Sequence, residues 1–163
     1  MTHTVYLSLG SNLGNKEENL QCAMKRINEQ IGKIVSQSAF YVTTPWGFDS
    51  SHTFLNNALS VVTSLEPMEL LDATQQIERD LGRLKKSAGG VYFDRLIDID
   101  ILFYDERVMN HPRLILPHPL LHKRLFVLQP LSEIAPELAH PLLGESIQVL
   151  YKKLLADETS GMQ

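Results

Sequence analysis

Two aspartates stand two positions apart inside the otherwise apolar stretch LIDIDIL at residues 96–102. Side chains alternate between the two faces of a β-strand, so Asp98 and Asp100 share one face and the neighbouring isoleucines share the other. Two like charges at this spacing are unfavourable unless a cation or a set of hydrogen-bond donors compensates them. Mg²⁺ prefers oxygen ligands and typically binds one or two carboxylates together with substrate phosphates. The pair is therefore a candidate site for one or two magnesium ions.

The residues before the aspartates are rich in cations and glycine. Arg83 and Lys85 precede Gly89-Gly90, and Arg95 follows shortly before the first aspartate. This pattern favours a mobile loop that closes over phosphates, with arginine stabilising charge on a transferring phosphoryl group. The alternative is a solvent-facing strand whose acids pair with Arg95 or nearby lysines, because surface ion pairs are common and weak.

Charge is unevenly distributed along the chain. The net charge is −4 at pH 7, but residues 79–124 contain nine Lys/Arg and six Asp/Glu, whereas the remainder contains six and thirteen. An anionic ligand is therefore expected near the middle of the chain, with scattered solvated charge as the alternative. The acidic total argues against a general nucleic-acid binder.

Length and composition indicate one soluble domain over residues 1–163. A chain of 163 residues, 44% hydrophobic and 21% charged, can enclose a core without disulfides. No apolar run approaches the roughly 18 residues of a membrane span. The N-terminus lacks a basic leader, and the single Cys22 cannot form an internal disulfide, so we expect a cytoplasmic protein. We expect residues 157–163 to form a flexible tail.

The order of predicted elements indicates the fold class. Alternating apolar residues predict strands at residues 3–9, 34–43, 54–65 and 94–103, with a short hairpin through Asp105 and Glu106 after the last one. Helical spacing predicts helices at residues 15–31, 67–82 and 146–155, and a short helix within LPHPLLHKRLFVLQPL. This split βαβ order predicts an α/β (α+β) sandwich with a largely antiparallel sheet, helices on both faces and a ferredoxin-like core.

Seven motifs occur in an order and spacing that resemble the 6-hydroxymethyl-7,8-dihydropterin pyrophosphokinase family. They are GSNLG at 10–14, FYVTTPWG at 40–47, FLN at 54–56, QQIERDLGR at 75–83, DRLIDIDIL at 94–102, LPHP at 116–119 and RLFVLQPLSEIAPEL at 124–138. The resemblance covers roughly residues 4 to 150. It implies the same sandwich fold and the transfer of pyrophosphate from ATP to the hydroxymethyl group of the dihydropterin in folate biosynthesis, with release of AMP.

The resemblance also implies a role for particular residues. Asp98 and Asp100 are expected to bind two Mg²⁺ ions that bridge the ATP triphosphate, and Arg83 and Arg95 to act in catalysis beside them. The expected nucleotide contacts are Gln75, Glu78, Lys85, Arg95, His118 and Arg124. The expected pterin contacts are Thr43, Thr44, Pro45, Trp46, Phe54, Asn56 and Phe126. The implied partners are these two small molecules, with neither nucleic acid nor membrane, and the expected state is a monomer.

Without the resemblance, most of these residues have ordinary structural explanations. Phe54 and Phe126 fit a hydrophobic core, Asn56 and His118 fit turns, and Gln75 with its neighbours fits a solvated helix face.

Three departures from the family concern the loop before the aspartates. Lys85 stands where the family often has arginine, Tyr92 stands near a loop tryptophan, and Phe93-Asp94 replaces a small residue and proline. These departures bear on loop closure and not on the reaction.

Two other functions are compatible with an aspartate pair on a strand. A metal-dependent phosphohydrolase would use the pair to activate water, and a nucleotide-sensing module would bind ATP without turnover. A Walker-type phosphate loop is excluded, because only three residues separate Gly10 from Gly14 and no Lys-Ser/Thr pair follows.

Overall fold

The computed structural model of the chain describes residues 1–43, 53–83 and 96–161. Five strands form the main sheet: β1 (His3–Ser11), β2 (Gly32–Gln37), β3 (Tyr41–Thr43), β4 (Phe54–Thr63) and β5 (Asp98–Tyr104). Two short strands, β6 (Met109–His111) and β7 (Leu114–Leu116), form a separate hairpin. The helices are α1 (Lys16–Gln30), α2 (Pro67–Arg83), α3 (Leu125–Ile134) and α4 (Ile147–Gly161), and a 3₁₀ turn spans Leu121–Lys123. Among the residues described, no helix combines the length and the apolar character needed to cross a membrane.

The main sheet has the strand order β2-β4-β1-β5, and each of its pairings is antiparallel. β3 also pairs with β4, beyond the end of β2. With the segment β2–β3 counted as one strand, this is the ferredoxin-like order. The predicted fold class is therefore confirmed.

The sheet separates two hydrophobic clusters. On one face, α1 and α2 pack against residues of β1 and β5 that include Leu7, Leu9, Ile99 and Ile101. On the other face, α3 and α4 pack against a cluster that includes Ala58, Leu102 and Phe103. Asp98 and Asp100 alternate with the isoleucines of the first face, so they point towards the α3 side of the sheet.

A β-bulge interrupts the alternation of faces near the end of β5. Tyr6 lies opposite Phe103 and Leu7 lies opposite Ile101, so Leu102 is an extra residue. The extra residue shifts the alternation of faces, and Leu102 and Phe103 join the α3 side together.

The predicted strand at residues 34–43 is wrong in its continuity, because the chain forms two strands with a break between them. Ser38 lies in the break. Its backbone N–H donates to the carbonyl of Ala58 at 2.9 Å, and its hydroxyl accepts from the Ala58 N–H at 2.9 Å. A side chain thus takes the place of a backbone ladder partner, which is how serine commonly interrupts regular structure.

The hairpin predicted through Asp105 and Glu106 is also wrong, because β5 pairs only with β1 among the described strands and the hairpin lies further on. Asp105 has a positive φ of 49° and ends β5. Its carboxylate accepts from the backbone N–H of Thr4 at 2.8 Å and contacts His3 Nδ1 at 2.7 Å, so it holds the start of β1 to the end of β5. The final helix is longer than predicted and reaches Gly161.

Candidate active site

A row of four residues crosses the sheet on the α3 side. In the observed register Asp98 of β5 lies opposite Gly10 of β1, Gly10 lies opposite Asn56 of β4, and Asn56 lies opposite Tyr41 of β3. Directly opposite residues in antiparallel strands point to the same face. Since neighbouring strands are about 4.8 Å apart, the backbones of Asp98 and Asn56 are separated by about 10 Å.

The residues between the carboxylates and the amide of Asn56 are small. Gly10 occupies the row itself, and Ser8 lies opposite Asp100 in the adjacent row. A Cβ atom at Gly10 would be 2.7 Å from Asn56 Nδ2, closer than real Cβ contacts. Glycine at this position therefore lets the Asn56 side chain lie over the strand, and it leaves a low floor between the two ends of the row.

A cavity of about 550 Å³ lies over this floor. The sheet contributes Ser8, Gly10, Thr43, Phe54, Asn56, Asp98 and Asp100, and the segment 123–129 contributes Lys123, Arg124, Leu125, Phe126 and Gln129; Glu158 of α4 completes the lining. Two aromatic side chains and a buried amide in one cavity suit a flat heterocycle with hydrogen-bonding edges. We call this space the first cavity.

The amide of Asn56 is held in one orientation within the first cavity. The residue is 4% exposed, and its Oδ1 accepts a hydrogen bond from the Thr43 hydroxyl at 2.7 Å. The Nδ2 atom lies on the side of Gly10. Thr43, which follows Tyr41 on the same face of β3, thus sets the direction in which Asn56 can donate.

A second cavity, of about 320 Å³, lies at the outer edge of β5, between α2 and the β6–β7 hairpin, and is lined by residues of both faces of the strand. Its lining includes Leu71, Gln75, Glu78, Asp98, Asp100, Arg113 and His118. Both aspartates line both cavities. The carboxylate pair therefore stands where a group bound in one cavity meets a group bound in the other.

Glu78 brings a third carboxyl group to the aspartates. Its Oε2 accepts from the backbone N–H of Ile99 at 2.8 Å, which fixes α2 to β5 between the two acids. Burial, with added repulsion from Asp98 and Asp100, raises the pKa of Glu78 to about 7, although the Ile99 hydrogen bond acts in the opposite direction. The site thus favours a cation.

The donors present fit magnesium. In the part of the chain that the structure describes, no group of three or more His, Cys, Asp or Glu side chains is arranged to hold a metal ion by itself. Mg²⁺ usually takes one or two carboxylates and completes its shell with water and phosphate oxygens, so a carboxylate pair facing a cavity suits it.

His118 lines the second cavity in a defined tautomer. Its Nδ1 accepts from the backbone N–H of Leu120 at 3.1 Å, so the neutral ring carries its proton on Nε2. Burial lowers the pKa of His118, and the positive charge of Arg124 adds to this, while Asp98 opposes it. The residue is therefore a neutral donor near neutral pH.

Arg113, in the turn between β6 and β7, was not predicted as a site residue. Its Nη2 donates to Asp72 Oδ1 at 2.7 Å and to Gln75 Oε1 at 3.2 Å, and it lines the second cavity. The hairpin thereby places a guanidinium beside the face of α2 that carries Gln75. No local pattern in the sequence indicates this contact, since it depends on where the hairpin packs.

The structure brings together most of the predicted site residues that it describes. Thr43, Phe54, Asn56, Phe126 and Arg124 line the first cavity, and Gln75, Glu78 and His118 line the second. Arg83 is the last residue of α2. Thr44, Pro45, Trp46, Lys85 and Arg95 lie outside the described residues.

Some lining residues were missed by the sequence analysis. Gln129 follows Phe126 by one helical turn on α3, so helical spacing could have indicated it. Gly10 lay just beyond the predicted strand at residues 3–9 and Glu158 within the predicted tail, and only the register of β1 and the length of α4 bring them to the first cavity.

A carboxylate pair between two cavities supplies the donors that the class of metal-dependent phosphoryl-transfer enzymes needs. Comparison with known proteins defines the family. The chain belongs to the 7,8-dihydro-6-hydroxymethylpterin-pyrophosphokinase (HPPK) family, whose sequence model matches residues 6–136.

Individual relatives agree with this assignment. The chain is 49% identical over 138 residues to the 2-amino-4-hydroxy-6-hydroxymethyldihydropteridine pyrophosphokinase of Porphyromonas gingivalis, covering 84% of this chain and 93% of that protein. It is 40% identical to the Bacillus subtilis protein of the same name, covering 84% of this chain and 81% of that protein. A crystal structure of Plasmodium falciparum HPPK-DHPS superposes with a TM-score of 0.81 at 18% identity, which supports the fold. The match covers 99% of this chain but only 46% of that longer chain.

Proposed function

We propose that the chain transfers pyrophosphate from ATP to the hydroxymethyl group of 6-hydroxymethyl-7,8-dihydropterin, giving the pterin diphosphate and AMP as a step of folate synthesis. Its family membership supports this reaction. The observation that carries the proposal is that Asp98 and Asp100 line both cavities. A reaction between two bound molecules needs such a shared boundary.

The first cavity is the proposed pterin site. The ring lies between Phe54 and Phe126, and its polar edge is bound by Asn56, whose amide both donates and accepts. The backbones of Asn56 and Asp98 are about 10 Å apart along the row, so a bicyclic heterocycle bearing a one-carbon arm can extend from the amide towards the carboxylates. The hydroxymethyl group then points towards the carboxylates. Thr44, Pro45 and Trp46 are proposed to line the same ring.

The second cavity is the proposed nucleotide site. Gln75 and Glu78 offer an amide and a carboxyl group from one face of α2, and His118 offers its Nε2 proton to a phosphate oxygen. The triphosphate extends from there to Asp98 and Asp100. Two magnesium ions bound by these aspartates would supply charge neutralisation and orientation of the phosphates.

Cationic side chains complete the proposed phosphate site. Arg124 directly precedes α3, its guanidinium lies 5.5 Å from the centroid of the Phe126 ring, and its charge also acts on His118 of the second cavity, which supports a contact with the phosphates. Arg83, Lys85 and Arg95 are proposed to close over the β- and γ-phosphates, where arginine stabilises charge that develops during transfer. The protein's contribution is thus positioning and electrostatics, and no side chain need form a covalent intermediate.

The proposal extends to the organisation of the protein. Residues 1–163 act as a single pyrophosphokinase domain, monomeric and cytoplasmic, with two small molecules as its substrates. The single domain is supported by the shared sheet, because one hydrophobic cluster packs on each of its two faces. Analytical ultracentrifugation tests the monomer, and a dimer at micromolar concentration would overturn it.

Transfer of isotopic label tests the reaction. ATP labelled separately at the β- and γ-phosphates is incubated with protein, Mg²⁺ and 6-hydroxymethyl-7,8-dihydropterin, and nucleotides and pterins are separated by chromatography. Both labels are expected in the pterin product, with AMP formed only when the pterin is present. ADP, or phosphate released without pterin, would instead support a phosphohydrolase. ATP binding without any turnover would support a nucleotide-sensing module.

A further inference from the structure

Tyr41, at the far end of the cross-strand row from Asp98, is hydrogen-bonded to α3. Tyr41 donates its hydroxyl hydrogen to Glu133 Oε1. The backbone N–H of Ala39 lies 3.2 Å from Oε1 and 3.1 Å from Oε2 of the same carboxylate. One side chain of α3 therefore accepts hydrogen bonds from Tyr41, the first residue of β3, and from Ala39, which lies two residues before it. We call these contacts the Glu133 clamp.

The clamp connects the two walls of the first cavity. Glu133 lies seven residues after Phe126, two turns along the same face of α3 and about 10 Å along its axis. Tyr41 lies two residues before Thr43, on the same face of β3, and directly opposite Asn56. The Glu133 carboxylate thus links α3, which carries Phe126, to β3, which pairs with Asn56 of β4.

β3 depends on the clamp more than a longer strand would. It has three residues, and among the described strands it pairs with β4 alone. Short edge strands contribute little stability of their own. Its last residue, Thr43, donates the hydrogen bond that orients Asn56. A small movement of β3 is therefore passed directly to the amide.

We propose that Glu133 is a positioning residue for the pterin, which it never touches, because it fixes the separation between Asn56 and Phe126 through Tyr41 and Ala39. This inference rests on the proposed function and concerns only the pterin half of the site. The hydrogen bond to Glu133 also raises the pKa of Tyr41 to about 12, so the phenol stays a donor throughout the neutral range.

Three substitutions test the clamp. Glu133→Ala removes both acceptors, Tyr41→Phe removes one donor while keeping the ring, and Glu133→Gln keeps an amide oxygen that can accept. We expect Glu133→Ala to raise the KM for the pterin about tenfold, the size expected when hydrogen bonds to a charged acceptor are lost. Tyr41→Phe should raise it less, and Glu133→Gln should restore it to within about threefold of wild type. The KM for ATP should change less than about twofold in all three, since the second cavity does not contact the clamp.

A matched control separates positioning from general stability. Asp105 also accepts from one backbone N–H, that of Thr4, and contacts one side chain, His3, but it lines neither cavity. Asp105→Ala should lower the melting temperature at least as much as Glu133→Ala and leave the pterin KM unchanged.

The possible outcomes distinguish this inference from the function on which it rests. A wild-type protein that forms no AMP overturns both. If wild type is active, the inference is overturned by an unchanged pterin KM in Glu133→Ala, by an equal rise in the ATP KM, or by a matching rise in Asp105→Ala. Should Glu133→Ala fail to fold, Tyr41→Phe decides the question by the same measurements.

Discussion

Replacing Gly10 by alanine tests whether the floor of the first cavity positions Asn56. The added Cβ would lie 2.7 Å from Asn56 Nδ2 and 3.9 Å from a ring carbon of Phe54. The first distance is at least 0.3 Å below what real Cβ contacts show, so the amide must move. It cannot move freely, because its Oδ1 accepts from Thr43 at 2.7 Å.

The expected loss of pterin binding follows from which hydrogen bonds the displaced amide weakens. Displacing the amide by about 0.5 Å or more weakens one hydrogen bond to the pterin and its bond to Thr43, each of which contributes about 1 kcal/mol net. A loss of about 1.4 kcal/mol in binding corresponds to a tenfold rise in the pterin KM. Overpacking of a buried site costs about 1–3 kcal/mol, and alanine in a strand recovers about 0.5–1 kcal/mol of this. The net loss of stability is therefore about 1 kcal/mol, or about 2–4 °C in melting temperature.

The assay measures AMP formation at saturating ATP while the pterin concentration is varied, and then the reverse. Gly10→Ala should raise the pterin KM about tenfold and leave the ATP KM within about twofold. Gly82→Ala is the matched control, since a Cβ there meets no described atom within 4 Å and alanine favours the helix by up to about 1 kcal/mol. An unchanged pterin KM in Gly10→Ala, or a rise that Gly82→Ala reproduces, would refute the positioning of Asn56 over the glycine.

Three further predictions concern the carboxyl groups and the sheet. Asp98→Asn and Asp100→Asn should each lower kcat by at least about 100-fold with little change in melting temperature, because a metal contributes several kcal/mol to charge stabilisation; an active variant would contradict this. The pKa of Glu78 is raised from 4.5 to about 7, so the folded protein holds this proton more tightly than the unfolded chain and stability is lost as the pH rises through that range. In metal-free buffer, the melting temperature of Glu78→Gln relative to wild type should therefore be higher at pH 8 than at pH 5, and a constant difference would show that burial of this carboxylate has no such effect. Gly32→Ala should cost more than about 3 kcal/mol, because its Cβ would lie 2.0 Å from the carbonyl oxygen of Val62 in β4; urea denaturation measures this, and a loss below about 1 kcal/mol would contradict the close approach of the strands.

The fold was largely predictable because its helices and strands carry strong periodic patterns. Leu20 and Ile27 of α1, and Ile77 of α2, belong to apolar residues at helical spacing and are fully buried against the sheet. The errors fall where single side chains replace backbone partners. Ser38 interrupts a strand through its hydroxyl, and Asp105 ends β5 with a positive φ and a carboxylate that binds Thr4. Such contacts bring together residues distant in the chain, so no local window of sequence contains them.

The candidate site was predictable in its residue types and less so in its geometry. The two-residue spacing of Asp98 and Asp100 was enough to place both carboxylates on one face of the strand. In the structure both residues line the first cavity. The cross-strand row was not predictable, because it depends on the registers of three strand pairs. A shift of one residue in a single pair would turn Gly10 or Asn56 to the opposite face. The third carboxyl group, Glu78, was predicted only as a nucleotide contact.

The central claim is that Asp98 and Asp100 hold the metal-bound triphosphate of ATP next to the pterin site. Crystals grown with a non-hydrolysable ATP analogue and Mn²⁺ in place of Mg²⁺ test this claim most directly. Anomalous scattering locates manganese without ambiguity. We expect metal peaks at about 2.0–2.3 Å from carboxylate oxygens of both residues, bridging to phosphate oxygens at the junction of the two cavities. An ordered analogue with no anomalous peak there, and carboxylates that face solvent or only neighbouring guanidinium groups, would contradict the claim.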